Sequence, residues 1–155
     1  MRVLILTGSF KGRASRIGDL LMTIFQQLGA AAERVNMDNV DESEIDRCDG
    51  IIICTSTFHN GSAPPNAQSF LQRLSHSWPA LAGKSVGVVG LGDSSFQRTY
   101  NTASEAFESA LQFNGAVAPV ERLLLDTVST TPYDSDLQEW AARWYKAVSL
   151  LIDEH

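Results

Sequence analysis

The residues with the clearest chemical potential form a loop near the start of the chain, at positions 6–15, with the sequence LTGSFKGRAS. Gly8 and Gly12 permit tight backbone turns, and Ser9 offers a hydroxyl group. An apolar run precedes the loop and an amphipathic stretch follows it, so the loop joins the carboxyl end of a strand to the amino end of a helix. Free N–H groups and the helix dipole attract anions there. The loop therefore either binds a phosphate or is an ordinary turn, because Gly and Ser are common in both.

Two later polar loops could extend such a site to a larger ligand. Residues 56–67 read STFHNGSAPPNA, and residues 90–96 read GLGDSSF. Each loop contains one aromatic residue, Phe58 in the first and Phe96 in the second. A phosphate loop and two aromatic side chains would suit a planar cofactor with a phosphate tail. Either phenylalanine could instead fold into the core.

The elements that must position these loops alternate between strands and helices. Apolar runs predict strands at 2–6, 33–37, 50–55 and 85–90, with a last strand made of 116–118 and 120–125. Apolar residues at helical spacing predict helices at 16–28, 66–74, 102–113 and 135–152. The polar stretch 38–49 is expected to be a connection with one helical turn.

This alternation predicts an α/β fold, with a parallel sheet that has helices on both faces. Right-handed crossovers leave few possible topologies for such a sheet. Ligands bind to these sheets at the carboxyl ends of the strands, and all three polar loops lie on that edge. Their common position supports a binding site more strongly than any one loop does.

Composition and charge limit the classes of function. The chain has 155 residues, of which 44% are hydrophobic, and we expect a single domain spanning 1–155. No apolar run is long enough for a membrane span, and Met1 and Arg2 lead directly into the first strand, so we expect a cytoplasmic protein without a signal peptide. The net charge of −6 argues against nucleic acid as a partner. The negative charge is compatible with docking to a basic protein surface, and equally with a role only in keeping the protein soluble. Cys48, Cys54 and the three histidines form no disulfide, redox or metal pattern.

Taken together, the three loops resemble those of the flavodoxin family. The similarity is greater to the FMN domains of diflavin reductases and to the short MioC-type flavodoxins. It extends over essentially the whole chain, and the third loop, GLGDSSF, is its most specific part. The resemblance implies a flavodoxin-like three-layer sandwich, whose five-stranded parallel sheet has the order 2-1-3-4-5. It also implies FMN as a cofactor that is held without a covalent bond.

The resemblance assigns a role to each loop. The first loop would bind the FMN phosphate, the second would border the inner face of the isoalloxazine ring, and the third would form its outer wall with Phe96 stacked on the ring. Asp126 would lie at the ribityl chain or the ring edge, although Asp93 and Asp126 could also be turn residues. No catalytic or metal-binding residue is implied. The implied FMN-binding residues are Ser9, Phe10, Lys11, Gly12, Arg13, Ala14, Ser56, Thr57, Phe58, His59, Leu91, Gly92, Asp93, Ser94, Ser95, Phe96, Gln97, Arg98, Thr99, Tyr100 and Asp126.

The chain departs from the family pattern at several of these positions. Lys11 and Arg13 stand where hydroxyl residues are common, His59 where many members have glycine, and Ser62 where many have aspartate. These changes bear on cofactor affinity and redox tuning more than on the fold. Arg13 either pairs with the phosphate or lies in water, where it would add little.

The resemblance implies a monomeric carrier that passes single electrons between proteins. The expected donor is an NADPH-dependent flavodoxin reductase, and the expected acceptor is a redox enzyme, with biotin synthesis implied by the MioC-type relatives. An FMN-dependent NAD(P)H or quinone reductase and a binding module that has lost its flavin are the alternatives. A phosphoacceptor domain needs an acidic pair after the first strand and an aspartate after the third. Thr7, Gly8 and Ser9 stand at the first place and Thr55 and Ser56 at the second, which excludes it.

Overall fold

The architecture was analysed in a computed structural model, which describes residues 1–8, 12–57, 61–96, 98–129 and 132–154. Five strands and five α-helices follow one another in these residues, with short 3₁₀ turns at Met37–Asn39 and Pro79–Leu81. The strands are β1 (Arg2–Gly8), β2 (Ala31–Asn36), β3 (Gly50–Ser56), β4 (Ser85–Gly92) and β5 (Leu123–Asp126). The helices are α1 (Arg13–Leu28), α2 (Glu42–Arg47), α3 (Pro65–Leu74), α4 (Thr102–Phe113) and α5 (Asp134–Asp153).

The strands form one parallel sheet in the order β2-β1-β3-β4-β5, as the resemblance implied. One apolar core packs α1 and α5 against the sheet, and includes Phe25, Trp140 and Trp144. A second core on the opposite face packs α2, α3 and α4, and includes Phe70 and Phe107. The fold is therefore a three-layer sandwich with helices on both faces.

Apolar strand residues account for the central position of β3 and β4. Residues 50–55 of β3 and all of β4 are buried, as expected for strands covered by helices on both sides.

The large α5 side chains can pack closely on the sheet only where the strand residue beneath them is small. A Cβ on Gly87 would lie only 2.8 Å from Trp140 Cη2 and from Trp144 Nε1. Glycine at this position therefore lets both indoles pack directly on the β4 backbone.

The prediction for the last strand was wrong in its extent, because β5 contains only Leu123–Asp126. Val117 forms a single parallel bridge with Ser85, and the chain then leaves the sheet until Leu123. Proline has no N–H to donate to a ladder, so Pro119 interrupts pairing. The Glu121 carbonyl is then used by a side chain, since it accepts a 2.9 Å hydrogen bond from Trp140 Nε1.

Several element boundaries differ by a few residues from those predicted. Strand β1 continues through Gly8 and α1 begins at Arg13, so the first polar loop is shorter than its sequence suggested. Strand β2 is Ala31–Asn36 rather than 33–37. The predicted helical turn between 38 and 49 is α2, capped by Asp41, whose carboxylate accepts a 3.2 Å hydrogen bond from the Ser43 amide.

Candidate functional site

Four strands bring the predicted site residues to one edge of the sheet. Because the strands are parallel, β1, β3, β4 and β5 all present their carboxyl ends there. The register places Gly8 beside Thr55 and Gly92 beside Asp126. Ser9, Phe10, Lys11, Phe58, His59 and Gln97 lie outside the described residues, so their assignments stay predictions.

The amino end of α1 has the character of an anion site. Gly12 occupies the N-cap position in a left-handed conformation, with φ of 75°, and supplies no side-chain cap. The first turn contains no acidic residue that would neutralise the positive end of the helix dipole. Arg13 is exposed at the first helical position, whereas Ala14 is buried. Backbone and side chain therefore both favour a negatively charged ligand at this end.

A buried hydroxyl lies at the end of β3, near this helix. The Ser56 Oγ is shielded from solvent and has no hydrogen-bond partner among the described residues. Side chains alternate along a strand, so Ser56 faces the same side as Cys54. The Cys54 thiol lies 3.4 Å from the Ala14 carbonyl of α1, and its complete burial raises its pKa. Ser56 is thus an unsatisfied polar group on the α1 side of the sheet, which a bound ligand could satisfy.

The loop after β4 forms two consecutive turns that present an aromatic ring. The Phe96 amide donates to the Asp93 carbonyl at 3.0 Å, and the Thr99 amide donates to the Phe96 carbonyl at 3.0 Å. The Asp93 carboxylate also accepts a 2.9 Å bond from the Ser95 amide, which makes Asp93 a turn residue. Phe96 is 41% exposed, so its ring is not part of the core. An exposed ring beside the carboxyl edge fits the predicted stacking role.

The end of this loop packs closely on β4. Asn101 adopts a left-handed conformation, with φ of 58°, and is almost fully buried. A Cβ on Gly92 would lie 3.0 Å from the Asn101 nitrogen and 3.1 Å from Tyr100 Cδ2. Burial, and then the nearby Asp126 carboxylate, raise the pKa of Tyr100. Gly92 therefore allows the loop to fold back directly over the strand end.

Asp126 is both the last residue of β5 and an acceptor for the neighbouring loops. Its carboxylate accepts from the Ser94 hydroxyl, from the Ser94 amide at 3.2 Å and from the Val128 amide at 3.1 Å. The Ser94 hydrogen bond is the main cause of a lowered Asp126 pKa. Tyr133 Oη donates to the Asp126 carbonyl at 2.8 Å. Asp126 thus has a structural role as a turn residue, and its place at the cofactor edge stays a prediction.

Thr102 and Gly61 also belong to this region, and their contact was not predicted from the sequence. The Thr102 hydroxyl donates to the Gly61 carbonyl at 2.8 Å, which joins the loop after β3 to the start of α4. A threonine at a predicted helix start is a recognisable capping signal, yet its distant partner cannot be read from local sequence.

Among the described residues, no cluster of His, Cys, Asp or Glu could hold a metal ion. The described helices include none that is long and apolar enough to cross a membrane.

Comparison with known proteins decides the family. The flavodoxin family model matches residues 5–140, which is most of the chain. This chain belongs to the flavodoxin family. A mutant of a flavodoxin from Pseudomonas aeruginosa has a similar structure, with a TM-score of 0.87, 28% sequence identity, and coverage of 96% of this chain and 99% of that one.

Two curated relatives confirm the narrower resemblance. The sulfite reductase [NADPH] flavoprotein alpha-component of Vibrio cholerae is 32% identical over 155 residues, which span 99% of this chain but only 24% of that protein. A MioC homolog from Pasteurella multocida is 25% identical over 139 residues, covering 90% of this chain and 92% of the relative. The flavodoxin therefore resembles a full-length MioC-type protein and one part of a longer reductase.

Membership of this family indicates FMN as the cofactor, and the described residues fit it. The amino end of α1, where Gly12 supplies no side-chain cap, suits a phosphate together with Arg13. The buried Ser56 hydroxyl has no hydrogen-bond partner among the described residues, and a polar ligand could supply one. Phe96 offers an exposed aromatic face for a planar ring. These features share the edge at which an α/β sheet binds its ligands.

Proposed function

We propose that this flavodoxin carries single electrons between partner proteins, using non-covalently bound FMN. When bound, FMN supplies the redox chemistry, and the protein binds it, orients it and sets its potential. One observation carries the proposal: the positive end of α1, where Gly12 supplies no side-chain cap, and the exposed Phe96 ring belong to loops that lie on the same edge of the sheet.

The proposal divides the work between the chain's own residues. Gly12 and Arg13 hold the phosphate at the positive end of α1, and the Ser56 hydroxyl satisfies a polar atom of the ligand. Phe96 covers one face of the ring and excludes water from it. Stacking an aromatic on the flavin and placing the Asp126 carboxylate nearby both disfavour an electron-rich ring, which lowers its potential.

The partners are proposed from charge and from the relatives. The formal charge of −6 favours association with a partner that presents a basic surface. The NADPH-dependent activity in the name of the Vibrio cholerae relative supports an NADPH-dependent flavodoxin reductase as donor. Similarity to a MioC homolog supports a redox enzyme as acceptor. An acceptor in biotin synthesis stays a prediction from the resemblance to MioC-type flavodoxins. A cytoplasmic location and a monomeric state stay predictions.

Reconstituted electron transfer tests this function. The FMN-loaded protein is mixed with NADPH, a flavodoxin reductase and cytochrome c as a one-electron acceptor, and cytochrome c reduction is followed. A carrier should accelerate the reduction only when the reductase is present. Steady NADPH oxidation by the purified protein alone, with a quinone as acceptor, would instead identify an NAD(P)H or quinone reductase. If the protein does not bind FMN, the remaining alternative is a binding module that has lost its flavin.

A further inference from the structure

The loop that follows β3 is hydrogen-bonded directly to β4 and to the start of α4. The Thr57 amide, one residue beyond the end of β3, donates at 2.9 Å to the carbonyl of Leu91, which is the last β4 residue paired with β3. The Thr57 hydroxyl oxygen accepts a 3.2 Å bond from the Ala103 amide in the first turn of α4. Asn101, the N-cap of α4, makes no capping hydrogen bond with its side chain. Thr57 therefore supplies from another loop a cap that α4 does not supply itself.

A second threonine makes the return contact. The Thr102 hydroxyl lies 2.8 Å from the Gly61 carbonyl and 3.1 Å from the Thr99 carbonyl, so its proton has two acceptors. The shorter contact joins the start of α4 to the loop after β3. Thr102 and Gly61 are 41 positions apart in sequence. Gly61 has φ of 89°, and a Cβ there would lie 3.0 Å from the Thr102 hydroxyl oxygen. The close approach thus depends on glycine at one partner and on a hydroxyl at the other.

The positions of these contacts give them a consequence for the cofactor. Gly61 lies immediately after residues 58–60, which include the aromatic predicted to border the inner face of the ring. Thr102 begins α4 directly after the loop that carries Phe96. The two threonines therefore connect the segments that the proposed function places on opposite faces of FMN.

We propose that Thr102 is a positioning residue, whose hydroxyl holds the loop after β3 at a fixed distance from the loop after β4 and so sets the gap that FMN enters. Thr57, in the loop after β3, supports the same arrangement because its hydroxyl oxygen accepts a hydrogen bond from the Ala103 amide of α4. The inference rests on the proposed function, because the gap has this meaning only if FMN binds between the loops. The hydrogen bonds of Thr102 and Thr57 lie within the chain itself, so they can also be tested in the cofactor-free protein.

Two variants isolate the hydroxyl. Thr102→Val removes it while retaining the branched shape, and Thr102→Ser retains it while removing the methyl group. Loss of one hydrogen bond that positions a ligand should raise the Kd for FMN by about threefold to tenfold in Thr102→Val. Thr102→Ser should bind within about twofold of the unaltered protein, since its hydroxyl can still reach Gly61.

A redox potential and an exchange experiment separate positioning from general stability. If the gap matters, Thr102→Val should weaken the binding of oxidised FMN and of reduced FMN by different factors. A threefold difference between the two factors corresponds to a shift of about 28 mV in a one-electron potential. In the cofactor-free protein, amide hydrogen exchange in the segment containing residues 61–64 should accelerate in Thr102→Val and stay unchanged in Thr102→Ser.

The outcomes distinguish failure of this inference from failure of the proposed function. If the unaltered protein binds no FMN, the proposed function fails and the inference fails with it. If the unaltered protein binds FMN but the valine and serine variants match it in Kd, potential and exchange, only the positioning role is wrong. A lowered unfolding temperature in Thr102→Val, with unchanged Kd and potential, would also overturn the role, because it would show a purely structural contact.

Discussion

The Ser94 amide lies 3.2 Å from Asp126 Oδ1, so the loop after β4 is fixed to the end of β5 by a carboxylate. The Ser94 hydroxyl donates to the other carboxylate oxygen, and the Val128 amide donates to Oδ1 at 3.1 Å. All three donors favour the ionised carboxylate, which explains the lowered Asp126 pKa. The contact links two loops of the proposed cofactor site through a group whose charge depends on pH.

Asp126→Asn should therefore destabilise the cofactor-free protein at neutral pH. A carboxyl whose pKa is lower in the folded state stabilises the fold above its unfolded pKa, and this contribution disappears as the pH falls through the folded pKa. Thermal unfolding followed by circular dichroism should show a lower Tm for the variant at neutral pH, and a difference that shrinks on acidification. Asp153→Asn, at the exposed end of α5, serves as the control. A pH-independent difference would show that the carboxylate charge is not the cause.

Replacing Phe96 tests the outer wall of the site. Because the ring is 41% exposed, Phe96→Ala should change the stability of the cofactor-free protein little. Loss of a ring stacked on the flavin should weaken FMN binding by roughly 1–3 kcal/mol. Phe113→Ala, at the far end of α4 where the side chain is 75% exposed, should alter neither quantity. Lost stability with intact FMN affinity would mean that Phe96 acts only in folding.

Much of the fold could be predicted from the sequence because its signals are local. Buried parallel strands appear as continuous apolar runs, and the covering helices repeat apolar residues at helical spacing. The error at residues 116–125 has a specific cause. The stretch is apolar enough for a strand, but Pro119 cannot donate to a ladder, and the indole of Trp140 takes the Glu121 carbonyl. Only the tertiary structure reveals that second contact.

For the candidate site, the sequence predicted which loops contribute residues, but it did not predict the contacts between those loops. Gly12 and Phe96 lie in recognisable loops, and the structure places them at the expected edge. The contact between Thr102 and Gly61 was not foreseen, because it joins residues 41 positions apart whose loops meet only after the sheet has formed. Asp126 was foreseen as a site residue, whereas its bonds to Ser94 depend on how β5 aligns with β4.

A glycine substitution tests the turn that begins α1. Gly12 has φ of 75°, and a Cβ added there meets no atom of the described residues within 4 Å, so Gly12→Ala is expected to impose backbone strain without a clash. We expect a loss of about 1–2 kcal/mol in unfolding free energy. FMN affinity should also fall, because the turn directs the phosphate-binding end of the helix. Gly83→Ala is a matched control, with φ of 77° and equally open space. It should lower stability by a similar amount without weakening FMN, and equal losses of affinity in both variants would exclude a specific role for Gly12.

The charge of Arg13 can be tested on the same helix. If the guanidinium pairs with the phosphate, Arg13→Ala should weaken FMN binding by about 0.2–1 kcal/mol at low salt, the range for an exposed ion pair. The loss should diminish as added salt screens the charges. Arg16→Ala, also exposed on α1, controls for net charge. Titrations over a range of salt concentrations that showed no low-salt loss, or the same loss in both variants, would rule out the pairing.

The most direct test compares FMN with riboflavin, which lacks only the phosphate. The cofactor-free protein is titrated with each flavin while the quenching of flavin fluorescence is followed. Charge-assisted hydrogen bonds contribute about 1.5–3 kcal/mol each, so losing even one should weaken riboflavin by about tenfold or more. We expect FMN to bind tightly and riboflavin to bind far more weakly. Equal affinities, or no binding of FMN, would contradict the account of this chain as an FMN-dependent electron carrier anchored at the amino end of α1.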